Sequence, residues 1–362
     1  MRILAVVTEA YGGHGGIAQY NRDLVDALCS NKAVESVRIL PRLTPTAVTR
    51  APDKARQRRP IFSRAAFAMN ALGDVARSRP DLLICGHLYM AAMAMRIAEI
   101  GGVPFAVQLH GTEIWRPPTR HQRRALERAA LVLCVSRHTR AQALRFADIE
   151  RGRAVVIANT VGSDFRPGDR ARARAELGLT DDIALLTVGR LDRRFGYKGH
   201  DRVIRSIPRL LRGKRPVTYL ISGEGEDRSR LAALARDVGV GDHVRFLGFT
   251  GRESLPQLYR AADVFAMPST GEGFGIVFLE AMASGTPALG LSVGGAIDPL
   301  DFGEWGRAVA EADFEDALCR TVAAPRPDPR SLHAAVNERF GPDAFAHEVE
   351  SVFVGRNARF RR

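Results

Sequence analysis

Cysteine is scarce in this sequence: four occur in 362 residues (Cys29, Cys85, Cys134 and Cys319), and no two form a C-x-x-C pair. Such spacing argues against a disulfide framework and a thiolate metal site, and suits a reducing cytoplasm. No run approaches the ~18–20 apolar residues that a membrane span needs. The apolar stretch at residues 3–7 is too short for a signal-peptide core, and Glu9 and glycines follow it, so the chain is expected to be unprocessed. Low-complexity tracts and short internal repeats are missing too. Aromatic residues make up 7% and seldom interleave with basic ones, which argues against a single-stranded nucleic-acid binder. Acidic residues are outnumbered, 40 against 53 Lys and Arg, leaving a net charge of +13. That excess suits phosphorylated small molecules or an anionic membrane, but an arginine-rich proteome would produce it as well.

The length predicts two domains of roughly 150–200 residues. In the first half, strand-like segments (3–8, 34–40, 81–85, 104–109, 131–135 and 154–157) alternate with helix-like ones (17–29, 60–79, 90–100 and 120–130). The pattern lapses over residues 159–180, where glycine, proline and charge dominate. It resumes with strands at 183–188, 217–222, 244–247, 264–267 and 287–291, and helices at 201–211, 228–238, 253–261 and 276–283. Such alternation predicts parallel sheets covered by helices. The expected division is a first domain over 1–160, a linker region over 161–180, a second domain over 181–340, and a C-terminal helix over 341–362 crossing back to the first domain.

Near the start, Gly13-His14-Gly15-Gly16-Ile17-Ala18 spells G-x-G-x-x-A, a permitted dinucleotide fingerprint. A dinucleotide site also needs an acid after the second strand for the ribose. That strand ends Leu40-Pro41-Arg42, which counts against an NAD-dependent oxidoreductase. The stretch "STGEGFGIVFLEAMASGTP", residues 269–287, is better specified. Its glycines allow close backbone approach to a phosphate, and the helix that follows favours an anion at its start. Glu272 lies in the loop, and Glu280 lies in the helix, roughly 8 Å further along the axis. Two carboxylates flanking a phosphate site suit a nucleotide sugar, although on their own such residues also occur as solvated surface charges. A second stretch, "LLTVGRLDRRFGYKGHDRVI", places Arg190 after a strand and Lys198 eight residues on. Two cations there could neutralise a departing diphosphate.

These two stretches together resemble the retaining glycosyltransferases of family four, whose fold is GT-B: α/β, with two Rossmann-like domains facing across a cleft. The segment E-G-F-G-x-x-x-x-E-A-M-A-x-G-x-P is intact, and G-R-L…K-G selects Arg190 and Lys198 over Arg193 and Arg194. The resemblance implies that Glu272 reaches the donor sugar and Glu280 the ribose. Gly273 and the amides near Phe274 and Gly275 would hold the diphosphate, and Arg190 and Lys198 would stabilise it as it leaves. "VQLHGTEIW" resembles the family's H-G-x-E motif and places His110 near the reacting centre. Gly15 and Gly16 fit its G-G-I-x-x-Y pattern, on the donor phosphates. His14 and His87 are weaker candidates, on the acceptor side. Asp298 stands where a glutamate is usual, and "VIANTVGSDF" departs from P-N-G-V-D.

The implied activity is metal-independent transfer of a hexose-type sugar, with retention, from a donor such as a UDP- or GDP-sugar. The acceptor would be the hydroxyl of a sugar or lipid-linked molecule, in polysaccharide or glycolipid synthesis. The alternatives are a GT-B epimerase, a phosphorylase, or an inactive nucleotide-sugar binder. The residues a dead binder should lack are all present, and the lysine context of a phosphorylase is missing. Two basic clusters, Arg42, Arg50, Lys54, Arg56, Arg58, Arg59 and Arg64, then Arg116, Arg120, Arg123, Arg124 and Arg128, suggest a lipid-pyrophosphate acceptor or an anionic membrane. The expected location is cytoplasmic, peripheral on the inner face of the membrane, with no nucleic-acid partner.

Overall fold

The computed structural model describes residues 1–48, 51–192, 198–213, 215–301, 303 and 305–355. Arg50, Arg193 and Arg194 lie outside the described residues. The chain divides into two compact units. Met1–Thr160 with the chain from Pro342 onward forms one, and Val161–Gly341 the other.

The first unit is built on a seven-stranded sheet: β1 (Arg2–Val7), β2 (Ser36–Pro41), β3 (Ala55–Gln57), β4 (Leu82–Cys85), β5 (Phe105–Leu109), β6 (Leu131–Cys134) and β7 (Ala154–Val156), in the order β3-β2-β1-β4-β5-β6-β7. Every pairing is parallel. β1, β4, β5 and β6 are apolar or nearly so and buried along their length, as strands covered on both faces must be. Helices at Arg64–Ser78, Ala91–Gly101 and Arg120–Arg128 pack Phe67, Val75, Met95, Ile97 and Leu126 into this core. The helix Pro342–Phe353 rests on the helix Gly15–Ser30, with Phe345 edge-on to Tyr20 at 6.1 Å.

The second unit has a six-stranded sheet: β8 (Ile183–Val188), β9 (Val217–Ser222), β10 (Val244–Gly248), β11 (Val264–Met267), β12 (Ala288–Leu291) and β13 (Gly306–Val309), ordered β10-β9-β8-β11-β12-β13 and again parallel. Residues 161–180, expected as a linker, pack into this unit. Phe165 is buried, and the helix Arg170–Glu176 sends Arg170 and Arg174 to Asp263 at 2.9 and 3.2 Å. These guanidiniums also donate to carbonyls at the end of the helix Leu255–Ala261, which needs positive capping.

Each sheet reverses its strand order once, between β1 and β4 in the first unit and between β8 and β11 in the second. In open parallel sheets, ligands bind beyond the carboxyl ends of the strands at such a reversal.

Candidate functional site

The second unit gathers its site residues at that reversal. Arg190 follows β8 by one glycine. Backbone packs so closely here that a Cβ on Gly223 would stand 1.9 Å from the Gly189 carbonyl oxygen. The aliphatic stem of Lys198 lies along Gly189, 3.7 Å from where a Cβ would be. Its Nζ donates to Glu272 Oε1 at 2.6 Å, and both side chains are largely buried. Glu272 comes from the loop after β11. Its carbonyl accepts from the Gly295 N–H at 2.8 Å, fixing the loop against the turn after β12. Gly273 and Phe274 carry the chain on to Gly275, whose φ of +95° turns it into the helix Ile276–Ala283. Phe274 is buried against Phe340 at 5.7 Å.

Glu280 sits in that helix, buried. The Tyr259 hydroxyl donates to its Oε2 at 2.8 Å, and the Arg252 guanidinium lies 3.6 Å from Oε1. Burial pushes this carboxyl up, while Arg252 and the tyrosine hydrogen bond pull it back down. Arg252 is itself held over the Phe165 ring, 5.0 Å from its centroid. Tyr259 and Arg252 are missing from the sequence reading. A helical tyrosine and a loop arginine carry no local signal of a contact with a residue on another helix.

In the first unit, His87 follows β4 and His110 follows β5, and their rings lie 6.0 Å apart. His110 Nε2 is 3.0 Å from the Gly86 carbonyl oxygen. That nitrogen is therefore assigned the donating hydrogen, leaving Nδ1 as an acceptor. The Tyr20 ring meets His110 edge-on at 5.4 Å, and its hydroxyl donates to the Ile157 carbonyl at 3.1 Å. His87 Nδ1 accepts from the Tyr89 N–H at 3.2 Å, so its hydrogen is assigned to Nε2. Desolvation lowers both imidazoles below their ordinary range, against the charge of Glu113. Neutral His87 thus presents a donor and neutral His110 an acceptor.

His14 is exposed at the cap of the helix Gly15–Ser30, and its N–H donates to Glu9 Oε2 at 3.1 Å. Gly15 has φ +82°, and open space lies where a Cβ would be on both Gly15 and Gly16. The backbone here is therefore accessible.

Two family models match the chain, Glycosyltransferase Family 4 over residues 14–165 and Glycosyl transferases group 1 over residues 169–323. A D-inositol 3-phosphate glycosyltransferase of Frankia alni is 30% identical over 306 residues, 76% of this chain and 74% of that protein. The chain belongs to the group 1 glycosyl transferases. A D-inositol 3-phosphate glycosyltransferase of Actinosynnema mirum is 41% identical over 174 residues, 44% of this chain. The match spans only 41% of that relative's own length. Anabaena HepE, solved in complex with UDP and glucose, superimposes with a TM-score of 0.75 at 20% identity. The match covers 98% of this chain and all of that one. The fold of this glycosyl transferase is accordingly GT-B, with the paired Rossmann-like sheets described above. Among its described residues no helix is long and apolar enough to cross a membrane.

Proposed function

We propose that the chain transfers a sugar from a nucleoside-diphosphate donor to an acceptor hydroxyl, with retention at the anomeric carbon. The observation that carries this reading is the Lys198–Glu272 pair at the strand reversal of the second unit, beside Arg190 and the glycine-opened helix. The Anabaena neighbour, whose crystals hold UDP and glucose, supports a nucleotide-sugar donor. In this reading the donor exchanges the partners of the pair: Lys198 turns to the phosphates and Glu272 to a sugar hydroxyl. Arg190 and the amides of residues 273–275 complete the diphosphate site, and Glu280 takes the ribose. His110 accepts from or steadies the transferred sugar.

No carboxylate among these residues is free to act as the nucleophile of a double displacement, since Glu272 and Glu280 are each spent on binding. Retention then follows from departure and attack on the same face, with the leaving phosphate taking the acceptor proton. Catalysis rests on positioning and on positive charge at the departing diphosphate. No metal ion is required for this, because Arg190 and Lys198 supply the charge.

A panel of UDP-, GDP- and ADP-sugars tests the reading by thermal stabilisation and by turnover. One donor should stabilise the chain and be consumed, giving a product whose anomeric configuration matches the donor's. Stabilisation without turnover on any acceptor would favour the inactive binder, and an inverted product would overturn the mechanism.

A further inference from the structure

The basic segment of the first unit resolves into two kinds of cation. Some are spent inside the fold. Arg58 and Arg38 share the buried carboxylate of Asp74, at 2.9 and 3.6 Å. Lys54 donates to the Asn31 carbonyl, and Arg56 to the carbonyls of Asp53 and Ala55. In the second cluster, Arg123 pairs with Glu127 and Arg128 with Glu99. Arg42 and Arg64, like Arg59, Arg116, Arg120 and Arg124, have no carboxylate partner among the described residues, and it is their place in the fold that sets them apart.

Arg42 follows β2, where its N–H donates to the carbonyls of Val7 and Thr8 and so ties it to the end of β1. Its guanidinium stands 5.5 Å over the Phe67 ring. Arg64 opens the helix Arg64–Ser78, one turn before Phe67, and residues three apart share a helix face. A cation in the first turn works against the helix dipole, so helix stability does not account for Arg64. Tyr89 stands beyond the end of β4, half-exposed, with its ring 5.3 Å from that of His87. Burial raises its phenol, and the positive charges of Arg42 and Arg64 partly offset that rise. The strand order β2-β1-β4 puts Arg42 and Tyr89 at one carboxyl edge, beside the His87–His110 pair, and Arg64 joins Arg42 there through the helix turn that carries Phe67.

We propose that Arg42, Arg64 and Tyr89 form a subsite for the phosphate of a phosphorylated acceptor. Two guanidinium forks and a phenol hydroxyl suit the oxygens of a phosphate ester. The ester could belong to a free sugar or polyol phosphate, or to a phospholipid headgroup. Exposed Leu43 and Phe62, next to Arg42 and two residues before Arg64, would meet acyl chains in the second case. The proposal rests on the sugar-transfer reading and names the acceptor class for it.

The test uses the full chain with its donor site first saturated by the nucleoside diphosphate that stabilises it, so that added phosphate cannot register there. Inorganic phosphate is then titrated into the wild type, into the Arg42→Gln/Arg64→Gln variant and into Tyr89→Phe, with further thermal stabilisation as the readout. The double variant should bind phosphate about tenfold or more weakly, and Tyr89→Phe a few-fold more weakly. An Arg120→Gln/Arg124→Gln control, with the same change in net charge, should behave as wild type. Equal phosphate binding in the wild type and the double variant, an equal loss in the control, or no phosphate effect on the wild type would each overturn the proposal. Nucleotide binding intact alongside any of these leaves the sugar-transfer reading standing. If no nucleotide binds, it is that reading which fails. Co-sedimentation with phosphatidylglycerol but not phosphatidylcholine vesicles, lost in the double variant, assigns the phosphate to a headgroup. Phosphate binding without co-sedimentation assigns it to a soluble ester.

Discussion

In the second unit the site residues hold one another. Lys198 is bonded to Glu272, and Glu280 is clamped by Tyr259 and Arg252, so each charge is neutralised before any ligand arrives. In the first unit the groups come from separate strand ends and helix starts. His87 and His110 bond to backbone, Gly15 and Gly16 offer bare backbone, and Arg42 and Arg64 have no acidic partner among the described residues. The contrast suits two tasks. A diphosphate carries concentrated charge, and a site for it needs cations whose own partners can be exchanged. A neutral hydroxyl needs a donor and an acceptor at modest cost.

The sharpest way to break the comparison is to remove the exchangeable cation. Lys198→Ala should leave the fold intact and lower kcat about a thousandfold, the usual scale for losing a charge-stabilising group at a leaving oxygen. Donor turnover near wild type, with unchanged circular dichroism, would show that Lys198 merely holds Glu272.

The next effect concerns acid stability. His200, at the head of the helix His200–Leu210, is buried, and its Nε2 has no hydrogen-bond partner among the described residues. Burial and the nearby Lys198 push its imidazole from 6.5 down to about 4. A depressed imidazole binds fewer protons folded than unfolded. The stability it contributes is therefore present above pH 6.5 and is lost as the pH falls toward 4, by about 3 kcal/mol in all. His200→Gln should flatten this limb, read as the Tm between pH 7 and pH 4. His87 and His110 are lowered in the same direction, so part of the slope should persist. An unchanged slope would mean that His200 is hydrated in solution.

Arg252 offers a finer test of the clamp. Replacing it by glutamine leaves Glu280 with the Tyr259 hydroxyl alone, and burial then pushes the carboxyl higher. Donor KM should rise about tenfold near neutral pH, the scale of one charge-assisted contact, with kcat little changed. The rise should steepen as the pH falls, because the protonated form has lost an acceptor for the ribose. A KM that is raised equally at every pH would assign Arg252 to packing on Phe165.

Much of this arrangement is legible in the sequence because it is local. β8, β9, β11 and the helix Ile276–Ala283 fall where their apolar runs, bounded by glycine, proline and charge, place them. The two glutamates are read from one unbroken stretch. What escapes is assembled across the sheet. β3 is Ala55-Arg56-Gln57, with no apolar alternation, and exists as a strand only because β2 offers an edge. The helix Arg137–Phe146 carries three arginines and a histidine and depends on Ser136 for its cap. β13 follows a glycine-rich stretch with little pattern of its own. The Tyr259–Glu280 bond and the Gly86 carbonyl at His110 join residues 21 and 24 apart, and no periodicity announces such a pair. The basic clusters are only half legible for the same reason: charge density is visible in sequence, but which arginines have met a carboxylate is decided by the fold.

The smallest effect separates two glycines that look alike in sequence. Gly15 and Gly275 each open a helix with positive φ, +82° and +95°. An alanine at either position pays the left-handed strain of about 1–2 kcal/mol. At Gly15 nothing lies within 4 Å of the new methyl, so Gly15→Ala should cost that strain alone. At Gly275 the methyl would stand 2.7 Å from Phe278 Cδ2. Phe278 is fully buried and wedged against Phe265 at 5.6 Å, so it cannot yield without opening the core. Gly275→Ala should therefore cost at least about 1 kcal/mol more than Gly15→Ala, an additional 2–4 °C or so in the melting of a domain of this size by calorimetry. Equal losses would mean that Phe278 repacks freely and that the loop is less tightly built than the packing implies. A larger loss at Gly15 would reverse the comparison and place the more constrained backbone in the first unit.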